Sequence, residues 1–571
     1  MACQENLLSE ENNQSAPLFR RTGVILLLIL LLAAFLRLYK LGQISPPGLN
    51  QDEAANAWSA YCLLKTGKDY FGNPWPIYYV RNLGGNSPSL YVYMLLPFQA
   101  IGGMNAYTTR LPGALGGIFT VWLIYFVGKR LFNTQTGLVA AALLAIDPWH
   151  LQQSRWGHEV THAPLLGLAP LALMLWAGLP VSDDKTASPR PFVAALAGAL
   201  SGIGCFGYMS VRLFVPAFIF TIVLFTLPDW WRTLKSKKGI LAVATFFIAF
   251  AVTFGQLAYL HIFHPEGIGR HASFQPYWVG SIPFATAIKE LTLRYILHFG
   301  PDFLFIKGEN SPIYSPPGMG QLYWYMLPLM LAGAAILLLK LKISPSARVL
   351  LAFIITYPVG DCLGLFSSGL SFFSPNSMRS APGLCSLVLL ASVGAVGVFQ
   401  WLWTKNRNSA IYTTAAFIII ALIMNIRYLH RFYGEFNRQP GAYYLFHTDL
   451  IEACEWLKPR LDDFDAVFFT TDFFNMPYVI TAVALGYDPQ KWFSEPREFT
   501  TLEEWDLYTR YGKFYFMYNN IPKPSPDITL HPGRTLFIVR PDDELLQNIS
   551  PKIIHEIVSP DGKTALLICQ I

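Results

Sequence analysis

What most constrains this chain is a succession of eleven apolar runs, near 22–39, 110–128, 133–148, 160–179, 191–209, 213–228, 239–260, 322–339, 348–367, 380–403 and 409–426. An apolar run of about 20 residues, wound into a helix, matches the bilayer's hydrocarbon thickness and satisfies its own peptide groups there. The run at 133–148 is the shortest of them. Hydrophobic residues make up 53% of the chain and charged residues 14%, where a soluble domain carries about 25% charged. The chain therefore reads as a polytopic α-helical membrane protein.

Orientation follows from the basic residues. Arg20 and Arg21 precede the first run. If every run crosses, Lys129-Arg130, Lys185 with Arg190, the cluster Arg232–Lys238, Lys340 with Lys342, and Lys405 with Arg407 all fall on that same side. Lys and Arg accumulate on the cytoplasmic face, so the tail 1–21 is expected in the cytoplasm and the protein in the inner (plasma) membrane. No small-residue cleavage site follows the first run, which is expected to stay as a signal-anchor. The odd number of runs puts 427–571 on the extracytoplasmic face, with the loops 40–109 and 261–320. A net charge of +6 in short clusters speaks for topology and against a nucleic-acid partner. The seven cysteines are scattered; Cys454 and Cys569 are a candidate pair if both face an oxidising compartment.

Three units are expected: the tail 1–21, a membrane part 22–426, and a small soluble α/β domain 427–571. In the last, a helix over 446–459 precedes strands near 466–470, 514–518 and 535–539 and a closing pair near 552–570. In the first outer loop, 53–66 is amphipathic and Leu90–Gly103 is apolar but short, and both read as helices lying along the interface. The second loop, rich in Pro, Gly and aromatics over Phe303–Gly318, is suited to close over a substrate at the bilayer surface.

The chemistry collects in these outer segments. Asp52 and Glu53 form a paired acid just beyond the first run. One carboxylate can act as a general base while its neighbour holds a partner, since adjacent acids rarely share a protonation state. The plainer alternative is an acidic cap for the helix running on to Leu64. Glu159 opens the fourth run, where an acid is costly unless paired or facing a cavity; it could equally stabilise a helix N-terminus. His158-Glu159-Val160-Thr161-His162 is a formal H-E-x-x-H. On an α-helix it would set two imidazoles on one face beside a glutamate, as in an intramembrane zinc metalloprotease, with His158 and His162 as the metal ligands. A third ligand is wanting: Asp361, deep in a run, lacks the flanking pattern of such proteases. A transporter would show internal repeats, and none is visible.

In order, Asp52-Glu53, Leu90-Tyr-Val-Tyr93, Arg110-Leu-Pro-Gly113, Lys129-Arg-Leu-Phe132, Asp147-Pro-Trp-His150, Ser154-Arg-Trp-Gly-His-Glu159 and Pro317-Gly-Met-Gly-Gln-Leu-Tyr323 resemble the bacterial membrane glycosyltransferases related to protein O-mannosyltransferases and lipid A aminoarabinose transferases. The resemblance covers about 20–430 and implies a GT-C fold. It also implies transfer of a sugar, hexose or pentose, from a polyprenyl-phosphate carrier to an acceptor hydroxyl on a protein, lipid or glycan at the outer leaflet. Asp52 matches the family's catalytic acid, which deprotonates the acceptor, and Glu159 its second acid, with Glu53 shaping the site. Charge growing on the leaving phosphate calls for cations. Arg379 sits where the family has one, and Lys307, Arg270, Arg81 and Arg110 are further candidates, each of which could instead snorkel to lipid phosphates. The resemblance names no required cofactor beyond the lipid-linked donor, and leaves a divalent cation at His158 and His162 open. Two positions depart from the pattern. Ser87-Pro88-Ser89 stands where many members have Lys-Pro-Pro, and Ile313-Tyr314 where relatives have Arg-His, leaving Tyr314 as a candidate carrier contact. Another cation has taken over, the carrier is held differently, or catalysis has been lost.

Overall fold

The structure is a computed structural model. It describes residues 21–83, 85–184, 186, 188–263, 283–309, 314, 318–362, 375–502, 505–518, 534–543, 546 and 551–571. Six described helices are long and apolar enough to cross a membrane: Arg21–Leu38, Ala106–Leu131, Glu159–Ala177, Lys237–Leu260, Ser377–Lys405 and Arg407–Arg438. A seventh crossing is made if Met209–Phe225 and Leu227–Thr233, bent by 80°, count as one span. The chain is thus polytopic, but the expected eleven full spans are not reached by helix length. Thr134–Ile146, Pro191–Gly204 and Met326–Lys340 lie on expected spans but are short; at 1.5 Å per residue they reach about 20 Å of a core about 30 Å thick. The run expected over 348–367 contains the helix Pro345–Thr356 and one turn at Val359–Cys362, and its end falls outside the described residues.

The helix Arg407–Tyr433 runs past residue 426, so the boundary expected there falls inside a helix. Beyond it, helices Pro440–Leu445 and Thr448–Leu457 lead into a seven-stranded sheet. With a hairpin of β1 (Tyr79–Asn82) and β2 (Gly85–Pro88) counted first, the sheet comprises β3 (Ala466–Thr470), β4 (Arg497–Leu502), β5 (Trp505–Tyr511), β6 (Phe514–Met517), β7 (Thr535–Val539), β8 (Lys552–Val558) and β9 (Thr564–Gln570). Their order is β4-β5-β6-β3-β7-β9-β8. β3 is parallel to both β6 and β7, and the other pairs are antiparallel. All five residues of β3 are buried, as a central strand covered on both faces requires.

Cys454 and Cys569 are both free and buried. Successive side chains of a strand point to opposite faces. Leu566 and Ile568 of β9 therefore pack with Cys454 and its helix, while Leu567 and Cys569 pack in a separate cluster on the other face. The sheet itself separates the two thiols.

The helix Gln51–Thr66 is packed on both sides instead of presenting one apolar face. One side packs its Ala54, Ala55, Ala57 and Trp58 into a core shared with the sheet unit, where the Trp58 and Trp492 rings meet edge to face at 5.4 Å. Ala60 and Leu63 meet Tyr91, Val92 and Leu95 on the other side, from the helix Ser89–Gly102. That second helix is only half buried, with Ile101 at its end exposed. A segment rich in small residues can be covered on both sides because close approach costs it no side-chain volume.

Candidate functional site

The helix Gln51–Thr66 begins with a complete capping box. The Asn50 side chain accepts from the Asp52 N–H at 2.9 Å, and the Glu53 carboxylate accepts from the Asn50 N–H at 3.0 Å. The two acids then part company. Glu53 is fully buried and takes the Arg110 guanidinium on both oxygens, Nε to Oε1 at 2.7 Å and Nη2 to Oε2 at 2.9 Å. It also accepts the Gly157 N–H at 2.7 Å. Arg110 donates further to the Pro46 and Gly48 carbonyls. Glu53 and Arg110 are therefore a buried strut that fixes the loop before Asp52 against the turn at Gly157. Neither Glu53 as a catalytic acid nor Arg110 as a phosphate contact fits this placement, because the side chains have no exposed surface from which to reach a substrate.

Asp52, one residue earlier, keeps 40% of its side chain exposed. Its Oδ2 lies 3.9 Å from His158 Nε2, beyond hydrogen-bond reach. His158 Nδ1 accepts the Val160 N–H at 3.1 Å, which places the imidazole's proton on Nε2, facing Asp52. Glu159 completes the group. Its Oε2 accepts from Asn56 Nδ2 at 3.1 Å and lies 3.4 Å from His158 Nδ1. Asn56 is in turn held by Asn82 Nδ2 at 3.2 Å, at the end of β1.

Arg155, Trp156 and Gly157, within Ser154-Arg-Trp-Gly-His-Glu159, have separate tasks. Arg155 is buried and donates to the Leu36, Arg37, Ile44 and Ser45 carbonyls, bracing the end of the first span. Trp156 stacks on His158 at 5.8 Å and meets Tyr314 edge to face at 5.7 Å. Gly157 leaves room for Glu53: a Cβ there would stand 2.7 Å from Thr109 Cγ2 and 3.1 Å from Glu53 Oε1. Gly157→Ala is thus expected to cost about 1–3 kcal/mol by overpacking and to lower the thermal transition of the purified protein.

The segment Glu159–His162 is a 3-10 helix, not an α-helix. With three residues per turn, positions i and i+4 sit about 120° apart, so His158 and His162 do not share a face. His158 faces Asp52, whereas His162 packs against Tyr91, ring centroids 5.6 Å apart. Among the described residues no group of three or more His, Cys, Asp or Glu side chains is placed to hold a metal ion. The metalloprotease reading is not supported.

The cations are dispersed. Arg379 lies in the turn Ser377–Ser380 and is mostly buried, its Nη1 3.5 Å from Asp361 Oδ1. Tyr314 lies within the fields of Glu309, Asp52 and Arg379. Burial pushes its phenol well above the ordinary range. Arg81 pairs with Asp506 of β5 at 2.8 Å and covers the Phe71 ring at 4.6 Å, tying the first loop to the sheet. Lys307 is exposed beside Asp302 at 3.8 Å. Arg270 lies outside the described residues, as does Ile313.

Arg212 and Tyr208 escaped the sequence reading. Tyr208 stands edge to face with His158 at 6.2 Å. Arg212, in the first turn of Met209–Phe225, sets its guanidinium over the Tyr79 ring at 5.3 Å, within the field of Glu159. Tyr79 pairs with Pro88 in the hairpin, beside Ser87. No local pattern marks either residue, since an Arg at the start of an apolar run is also a common interfacial anchor.

Residues 86–254 match the family model described as dolichyl-phosphate-mannose-protein mannosyltransferase. A curated relative from Pyrococcus furiosus, dolichyl-phosphooligosaccharide-protein glycotransferase 2, is 23% identical over 402 residues, covering 68% of this chain and 49% of the relative. The chain thus spans about half the length of the curated relative it matches. Among solved structures the chain is similar to ArnT from Cupriavidus metallidurans bound to undecaprenyl phosphate, at 14% identity and a TM-score of 0.49, over 95% of this chain and 97% of that one. The apo oligosaccharyltransferase from Archaeoglobus fulgidus matches at 14% identity and a TM-score of 0.44, over 81% of this chain and 64% of that one.

Proposed function

From a chain related to the protein mannosyltransferases through residues 86–254, we propose a membrane glycosyltransferase that moves a sugar from a polyprenyl-phosphate carrier to an acceptor hydroxyl at the outer face of the membrane. The observation that carries the reading is the separation of roles between two adjacent acids. Glu53 is consumed by structure, while Asp52 is part-exposed, with the His158 imidazole and a second acid, Glu159, beside it. A carboxylate with 40% of its side chain exposed can meet an acceptor hydroxyl, whose proton Asp52 takes as the glycosidic bond to phosphate breaks.

The leaving phosphate gains charge as that bond breaks and needs a positive group on the side opposite the acceptor. Arg379 fills that role, with Tyr314 within the fields of both Arg379 and Asp52. Arg212 compensates for the absent lysine at Ser87, reaching the hairpin from the facing helix over Tyr79. The aromatic wall of Trp156, Tyr208 and Tyr314 offers apolar faces to a sugar ring and the first carrier units. The Lys and Arg asymmetry supports a cytoplasmic tail, an inner-membrane location and an outer active site.

The test is transfer from a panel of polyprenyl-phosphate sugars by the purified chain in lipid. Transfer from at least one donor, retained in His162→Ala, is expected. No transfer from any donor, with stoichiometric zinc that is lost in His162→Ala, would overturn the reading.

A further inference from the structure

The motif Asp147-Pro-Trp-His150 opens a short helix, Pro148–Gln153, capped by Asp147, whose side chain accepts the His150 N–H at 2.8 Å. Trp149 and Gln153 stand one helical turn apart and therefore share a side. Both reach the same acceptor: Trp149 Nε1 and Gln153 Nε2 each donate to the Ser377 carbonyl at 3.0 Å. All three residues are buried. A carbonyl oxygen can accept two hydrogen bonds, and Ser377 opens the turn that carries Arg379, so one helix grips that turn twice. The helix is itself well fixed. The Trp149 ring meets Phe303 edge to face at 5.8 Å and Tyr357 at 6.3 Å. The Tyr428 hydroxyl donates to the Pro148 carbonyl at 3.1 Å, and His150 Nδ1 lies 2.8 Å from Arg37 Nη2 of the first span.

The same helix leads to the acid side. The Trp156 N–H donates to the Gln153 carbonyl at 3.2 Å, and the Trp156 ring stacks on His158, which faces Asp52. Gln153 thus serves both ends: its amide holds the Arg379 turn, and its carbonyl holds the turn that leads to His158. Transfer needs both ends at once, since the acceptor loses its proton as charge grows on the leaving phosphate, and the groups that act on each must keep a fixed separation. The donor's phosphodiester already carries one charge when it binds, and the second develops only as the glycosidic bond breaks. A displaced cation therefore costs more in the transition state than in donor binding.

We propose that Trp149 and Gln153 are positioning residues that set the separation between Asp52 and Arg379, by tying the Arg379 turn to the helix that leads to His158. The inference rests on the carrier reading, with Arg379 at the leaving phosphate, and the test separates the two.

Gln153→Met keeps an unbranched side chain of similar length and removes the amide; Trp149→Phe keeps an aromatic ring beside Phe303 and Tyr357 and removes the N–H. Each leaves the Ser377 carbonyl one of these two donors, so the fold is expected to hold. In the full chain in lipid nanodiscs, each should slow transfer at saturating donor and acceptor about tenfold or more, as a small misplacement of reacting groups does. Affinity for a polyprenyl methyl phosphate, a diester with no sugar to transfer, should stay within about threefold of wild type. In an Arg379→Gln background the same two changes should slow transfer by less than about twofold, because the residue they position is gone. Equal slowing in both backgrounds would overturn the inference, as would wild-type rates in both variants or a loss of diester affinity as large as the loss of rate. If one variant fails to fold, the other carries the same comparison; collapse of both would make the pair structural and overturn the inference as well. A wild type that transfers from no donor, or an Arg379→Gln variant that transfers like wild type, would instead overturn the carrier reading.

Discussion

Asp52→Asn is expected to slow sugar transfer about a thousandfold, within the range that general-base groups contribute, while leaving the fold and carrier binding unchanged. The substitution keeps the shape of the side chain and removes only its capacity to accept a proton. The backbone N–H of residue 52 still bonds to Asn50, so the helix start is preserved. The side chain is 40% exposed, so stability has little to lose. The rate should be read with saturating donor and acceptor, alongside a thermal melt and a carrier-binding assay. A variant that melts like wild type and transfers within about fivefold of it would exclude Asp52 as the base, since even a modest general base contributes more than that. Glu159→Gln provides a useful contrast. Glu159 accepts from Asn56 and lies near His158, so its loss is expected to act through their positions and to produce a smaller fall in rate.

The membrane helices that were readable in advance are those with eighteen or more apolar residues, such as Ser377–Lys405 and Lys237–Leu260. Over the short helices Thr134–Ile146 and Pro191–Gly204, the apolar run is longer than the helix within it. The apolar run continues beyond the helix, through Asp147 and Cys205 at their carboxyl ends, and hydropathy does not register where the backbone turns. The burial of Gln51–Thr66 could not be read for a different reason. Its alanines mark no polar face, and the residue that covers Trp58 is Trp492, remote in sequence. Likewise β4 and β5 had no counterpart in the sequence reading, since Arg497–Leu502 mixes charged, aromatic and hydroxyl residues. At the site, the acids were legible because the motif series names them. Which of two neighbouring acids faces open space was not, because Arg110 and Gly157 decide it across the fold. The same holds for the H-E-x-x-H: the pattern is correct, but the 3-10 winding of Glu159–His162 separates its two imidazoles.

The adjacent acid gives the second large effect, with the opposite signature. Glu53→Ala is expected to destabilise the protein by about 3–5 kcal/mol, because removing one partner of a buried ion pair strands the other charge without water. Here the stranded group is Arg110, fully buried with Glu53 at 2.7 Å. The loss extends beyond the pair, since the N–H groups of Asn50 and Gly157 also donate to the same carboxylate. Arg110→Ala should be similarly damaging, leaving the carboxylate uncompensated and the Pro46 and Gly48 carbonyls without their donor. The two changes should be strongly non-additive, the double variant Glu53→Ala/Arg110→Ala being less destabilised than the sum of the single ones, because it leaves no unpaired charge. Thermal melts of all three in the same detergent measure this coupling. Additive losses would mean that the pair does not act as a unit. A Glu53→Ala protein that melts like wild type but has lost transfer would reverse the assignment and return Glu53 to the chemistry. The strut explains why two carboxylates occur side by side: one fixes the turn from which the other works.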